Sequence, residues 1–117
     1  FGDWRVPQNH ELWQGINGIN NPCPLGYKIP TLTEWVEEQS SWSNDNASGA
    51  FESPLRIPLA GYRNHSDGSI GGEGNYGGYW SSTNDSIRSA RMRVDEIGTG
   101  INFMPRANGL TIRCIKN

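Results

Sequence analysis

Hydrophobic and polar positions alternate most strictly in residues 89–95. Ala90, Met92 and Val94 fall on one side, and Ser89, Arg91, Arg93 and Asp95 on the other. Successive side chains of a strand point to opposite faces, so this run predicts a half-buried strand. Residues 77–83, Gly-Gly-Tyr-Trp-Ser-Ser-Thr, predict a second strand. Residues 110–115 predict the last one, with Leu110, Ile112 and Cys114 on one face. Another strand is expected over residues 55–60, where Pro58 places it at an edge or bulge because proline donates nothing to a ladder. After Pro30 the pattern turns helical. Thr31 and Glu34 make a capping-box pair, acids fill the first turns, and Leu32, Trp35 and Val36 share a face, which predicts a helix over residues 32–40. Residues 43–49, 61–75 and 96–109 are expected as connections, rich in Gly, Asn and Ser or broken by Pro105. Residues 1–30 carry four prolines, which forbid a long helix there and leave at most one turn near residues 9–13. One helix followed by short, loop-separated strands is an α+β pattern.

Composition refines this picture. The chain has 117 residues, which suits a single domain over 1–117. It begins at Phe1 rather than Met and is expected to be the C-terminal part of a longer protein. Hydrophobic residues make up only 34%, yet five Trp, four Tyr and three Phe are present. Disordered chains are poor in aromatics, so a small aromatic core under many loops is expected. No apolar run is long enough to span a bilayer, and no membrane insertion by this chain is expected. The net charge is −2, which argues against nucleic acid as a partner. Eight of the ten basic residues are Arg, and five of these lie within residues 88–113. Arginine favours planar, bidentate and stacked contacts.

Catalytic patterns are sparse. No Gly-x-Ser-x-Gly elbow occurs, neither Cys has a nearby His, and Glu34, Glu37 and Glu38 are what a helix dipole attracts. The glycines of residues 71–78 lack the Lys-Ser/Thr of a phosphate loop. Asn84 and Asp85 beside Trp80 offer too few oxygens for calcium. Neither a metal nor another cofactor is expected. Cys23 and Cys114 are too few for structural zinc. They form a disulfide, closing a loop worth roughly 4–5 kcal/mol in the chain-entropy model, or remain two buried thiols. Residues 76–106 hold the vocabulary of recognition loops: Tyr and Phe for contact area, Arg for planar hydrogen bonding, small polar residues for adaptation.

Several ordered motifs resemble a known family. Residues 21–35, Asn-Pro-Cys-Pro-Leu-Gly-Tyr-Lys-Ile-Pro-Thr-Leu-Thr-Glu-Trp, are similar to the Cys-Pro-x-Gly-Tyr/Trp-x-x-Pro-Thr-x-x-Glu-Trp signature of the Fibrobacter succinogenes major paralogous (FISUMP) domain. Ile57–Arg63, Gly78–Thr83 and Ile112–Lys116 follow in the same order. Parts also resemble the formylglycine-generating enzyme group. Both likenesses imply a C-type lectin fold, with short helices, small antiparallel sheets and long loops. Tyr79–Asn84 and Arg106–Cys114, flanking an irregular polar stretch, look like the variable region of proteins diversified by retroelements, a class that includes bacteriophage tropism determinants.

That likeness implies a non-enzymatic domain that binds a protein or glycan ligand on a surface, exposed on a cell or virion. The fixed scaffold would include Trp80, Ser81, Ser82, Ala107, Gly109, Arg113 and Cys114. The ligand-binding candidates are Tyr76, Tyr79, Asn84, Asp85, Ser86, Arg88, Arg91, Arg93, Asp95, Glu96, Asn102, Phe103 and Met104. The alternative is a FISUMP-type adhesion or glycan-binding module of fixed specificity. An enzyme of the formylglycine-generating type is not expected, since those enzymes need two reactive Cys close together in the site. As buried aromatics, Trp35 and Trp80 are each expected to lose roughly 3–5 kcal/mol on truncation to Ala. Arg91→Ala and Asn102→Ala are expected to cost less than about 0.5 kcal/mol, as surface changes do.

Overall fold

The capping box at Thr31 starts α1 (Leu32–Ser40), as its sequence predicts. The Thr31 hydroxyl accepts from the Glu34 amide at 3.2 Å, and the Glu34 carboxylate accepts from the Thr31 amide at 2.9 Å. Lys28 reaches the same carboxylate at 2.6 Å. The Leu32 amide donates to the Thr83 hydroxyl at 3.0 Å, which joins the helix start to the main sheet. Only Trp35 of this helix is buried. Val36, expected on the apolar face, is 47% exposed. The chain is described over residues 2–117 in a computed structural model.

The remaining elements in chain order are β1 (Tyr27–Lys28), α2 (Ala47–Glu52), β2 (Ala60–Arg63), β3 (Ile70–Glu73), β4 (Tyr76–Asn84), β5 (Arg88–Asp95), β6 (Thr99–Pro105) and β7 (Ile115–Lys116). Five strands form one curled sheet in the order β3-β2-β4-β5-β6. β4, β5 and β6 are joined as an antiparallel meander, and β2 meets β4 in parallel at Gly61 and Gly77. β1 and β7 form a separate two-stranded ribbon. The result is an α+β domain with few, short helices. Among the described residues no helix is long and apolar enough to cross a membrane.

Five expectations are corrected. The connection expected over residues 61–75 contains β3, which pairs with β2. The strand expected over residues 55–60 is displaced to β2: Pro58 has no N–H, and Arg56 takes a positive φ of 51°, so the ladder starts only at Ala60. The connection expected over residues 96–109 contains β6, whose seven residues pair fully with β5. The strand expected over residues 110–115 is only a pair of bridges, Arg63 to Gly109 and Tyr79 to Thr111, before β7. The loop over residues 43–49 ends in α2, capped by the Asn46 side chain, which accepts from the Gly49 amide at 3.1 Å. Gly49 is required there, because a Cβ would lie 1.8 Å from the Asn44 carbonyl oxygen.

The core lies between the helices and the inner face of the sheet. Trp35, Ala50, Ile57, Tyr79, Met92 and Val94 pack there, with Trp42, Leu55, Leu59 and Ile101 at its edge. The alternation of β5 does what its sequence predicts: Ala90, Met92 and Val94 are all fully buried. Cys23 and Cys114 are joined in a disulfide, with Cα atoms 5.8 Å apart, so the first of the two states left open by the sequence is the one present. It clamps the chain just outside the β1–β7 ribbon.

Candidate ligand-binding face

The register of β4, β5 and β6 decides which candidates meet. Tyr76 stands opposite Asp95, Arg91 opposite Asn102, and Ser89 opposite Met104. With the period of two, Tyr76, Arg91, Arg93, Asp95, Asn102 and Met104 all belong to the outer face, turned away from the core. These six of the thirteen candidates are brought together.

They form a network rather than a row of independent side chains. Arg91 Nε donates to Asn102 Oδ1 at 2.7 Å, and its Nη1 donates to the Tyr76 hydroxyl. The same guanidinium lies over the Tyr76 ring at 5.4 Å, and Tyr62 meets that ring edge-on at 5.5 Å. Gly78 leaves room for the tyrosine: a Cβ there would sit 3.0 Å from the Tyr76 hydroxyl oxygen and 3.1 Å from Leu110. Burial, with the charge of Arg93 beside it, holds the Arg91 pKa below its ordinary value. Arg93 pairs with Asp95. The Asp95 carboxyl accepts from the Gly98 and Ile97 amides, which hold its pKa below the usual carboxylate range.

Arg91 corrects a stability expectation. It is only 9% exposed and its guanidinium is engaged on two sides. Arg91→Ala is therefore expected to cost about 1–2 kcal/mol, because it leaves Asn102 and Tyr76 without their donor and opens a gap over the sheet. Arg93→Ala, on a half-exposed side chain, should stay within about 0.5 kcal/mol. Urea denaturation of the two variants checks the difference; equal costs would show that Arg91 is not integral to the face. Asn102 is exposed but serves as Arg91's acceptor, so its truncation carries part of the same cost.

The other seven candidates lie elsewhere. Tyr79 is a core residue, 1% exposed, tilted against Trp35 at 5.8 Å, with its hydroxyl donating to the Pro58 carbonyl. Burial pushes its pKa up to about 12. Phe103 stands opposite Ala90 on the inner side, with the Arg88 guanidinium over its ring at 5.8 Å. Asn84, Asp85, Ser86 and Arg88 belong to the β4–β5 turn. Asp85 accepts there from the Ile87 and Arg88 amides at 2.9 and 2.6 Å, which holds its pKa low, and pairs with the Arg88 side chain at 2.9 Å. Glu96 is exposed at the β5–β6 turn, at the opposite end of β5. Neither Tyr79 nor Phe103 belongs to the outer face.

A cavity of about 290 Å³ lies beside this face and is absent from the sequence reading. Residues 3–20 supply one wall, and β4, Ser89 and Arg106 the other. Several contacts hold the segment down. Gln14 donates to the Ser82 carbonyl at 2.6 Å, and Asn84 donates to the His10 carbonyl at 3.1 Å. Arg106 contacts His10 Nδ1 at 2.7 Å and donates to the Asp85 carbonyl at 3.2 Å. The one available hint in the sequence was that Trp4 and Trp13, like Trp42, lie outside the motifs that carry the family resemblance. Both line the cavity, together with Trp80. Among the described residues no group of three or more His, Cys, Asp and Glu could hold a metal ion. Compared with family models, with curated proteins and with solved structures, the chain matches none.

Proposed function

We propose that the chain is a non-enzymatic ligand-binding domain of the C-type lectin type. Its recognition surface is the outer face of β4, β5 and β6, and positions within residues 76–106 are diversified by a retroelement while the scaffold stays constant. One observation carries this reading: the same strands separate a tightly buried core on one side from polar and aromatic side chains on the other. Met92 and Val94 are fully buried, while Arg93, Asp95 and Met104 are part-exposed and Asn102 is exposed. Changes at Arg93 and Met104 therefore need not disturb the packing beneath, and changes at Asn102 and Asp95 give up only the Arg91 contact, the Arg93 pair and the turn contacts at Ile97 and Gly98. The sheet supplies a rigid platform, and large planar side chains supply affinity when a ligand desolvates them. The ligand would be a protein or a glycan on a cell surface or virion.

Sequencing the surrounding genome and sibling genes tests this. The expected finding is a reverse transcriptase gene beside a near-copy of the region encoding residues 76–117, differing mainly at adenines. Sibling proteins should differ at 93, 95, 102 and 104 and agree at 79, 90, 92 and 94. Differences spread evenly over both faces would overturn diversification and favour the adhesion module of fixed specificity.

A further inference from the structure

We infer that the cavity between residues 3–20 and the β4–β5 hairpin binds a neutral sugar ring. The tryptophans point to it first. Trp35 and Trp42 donate their indole N–H groups to the Trp80 carbonyl and the Glu38 carboxylate. The other three, Trp4, Trp13 and Trp80, all line the cavity. The buried donor of the lining without a partner among the described residues is Arg106 Nε, which a ligand oxygen would satisfy. Trp4 is 80% exposed beside the cavity, so its indole face is open for a ring to stack on.

Most of the polar lining is neutral. Among the described residues the Asn9 amide nitrogen, the Gln14 and Asn84 amide oxygens and the Ser89 hydroxyl are without partners. Their other polar groups are spent on the Glu11 amide and on the His10 and Ser82 carbonyls. The charged groups are largely committed. Asp3 accepts from the Arg5 amide and from Gln8, and Arg106 contacts His10 and the Asp85 carbonyl. Among the described residues the exposed Arg5 guanidinium has no partner, and Arg106 keeps its Nε unpaired. Neutral donors and acceptors beside aromatic faces suit a ring whose hydroxyls both donate and accept and whose C–H face stacks on indole. The volume, about 290 Å³, is at the lower end for small-molecule pockets and suits a single ring, such as the end of a glycan.

This site does not rest on diversification, because Trp4, Trp13 and Asn9 lie outside residues 76–106. The test uses the methyl glycosides of glucose, galactose, mannose, fucose, N-acetylglucosamine and N-acetylgalactosamine. Tryptophan fluorescence and saturation-transfer NMR of the 117-residue chain follow binding. At least one glycoside should bind. Trp4→Ala, on an exposed side chain whose loss spares the core, should weaken it about tenfold or more. Trp4→Phe should restore part of the affinity, and Ile97→Ala, on an exposed side chain at the β5–β6 turn, should leave it unchanged. Absence of binding by all six glycosides would overturn the inference. So would binding indifferent to Trp4→Ala, or preference for nucleosides or aryl carboxylates over every glycoside.

Discussion

Trp35→Ala is expected to remove about 3–5 kcal/mol of stability, the largest single-residue effect in the chain. Trp35 is 1% exposed and is the only buried residue of α1, so it alone anchors that helix in the core. Its ring tilts against Tyr79 at 5.8 Å, and its indole N–H donates to the Trp80 carbonyl at 3.2 Å. Truncation removes the aromatic area, leaves a cavity beside Tyr79 and Met92, and orphans a buried carbonyl. The first two effects dominate: a net hydrogen bond is worth roughly 0.5–1.5 kcal/mol, less than the transfer and cavity cost of a large aromatic. Domains of this size are stable by roughly 5–15 kcal/mol, so the variant should be marginal at 25 °C. Urea denaturation followed by far-UV circular dichroism measures it. A loss below about 1.5 kcal/mol would mean that the core collapses around the gap and that α1 is held mainly by its cap and by Leu32 on Thr83.

Replacing both Cys23 and Cys114 by Ser is expected to cost about 2–5 kcal/mol. The bridge spans a sequence separation of 91, so it constrains nearly the whole unfolded chain. Loop-closure entropy rises slowly with length, and a loop this long lies near the upper end of that range. The folded side has few substitutes. β1 and β7 pair over two residues each, and the Asn117 amide reaches the Gly26 carbonyl at 3.1 Å. Thermal melts of the parent chain with and without reductant, beside the double variant, check the effect. The reduced parent and the double variant should melt together and well below the oxidised parent. Coincidence of all three curves would show that the chain-entropy constraint is not what holds the two ends.

Some of this was legible along the chain. α1 was, because its cap, its acidic first turn and its starting proline act within four residues of one another. β5 was, because strict alternation records which side chains leave water whatever the partner strands are. β6 was not. Its residues, Thr-Gly-Ile-Asn-Phe-Met-Pro, read locally as turn formers, and only pairing with β5 satisfies their backbone groups. Tyr79 was misplaced for a related reason. β4 is covered on both faces from Gly77 to Ser82, so no alternation marks which side its aromatic enters. For Arg91 the face was right and the burial wrong. Its cover comes from Tyr76 on a neighbouring strand, and Tyr62 on β2 buttresses that ring. The cavity itself was not legible beyond the unplaced tryptophans, since its two walls are separated by most of the chain's length.

By itself, then, the sequence determined an α+β domain, the boundaries of α1, the inward face of β5 and the aromatic character of the core. Those features rest on relations between residues two to four apart. Tertiary structure alone decided which candidates share a surface, that Tyr79 belongs to the core, that Arg91 is locked and Arg93 is open, and that Trp4, Trp13 and Trp80 surround one cavity. These depend on strand register and on segments laid across the sheet. The interactions that decide them are hydrogen-bonded ladders and contacts between residues distant in the chain, and these leave no periodic mark on either partner.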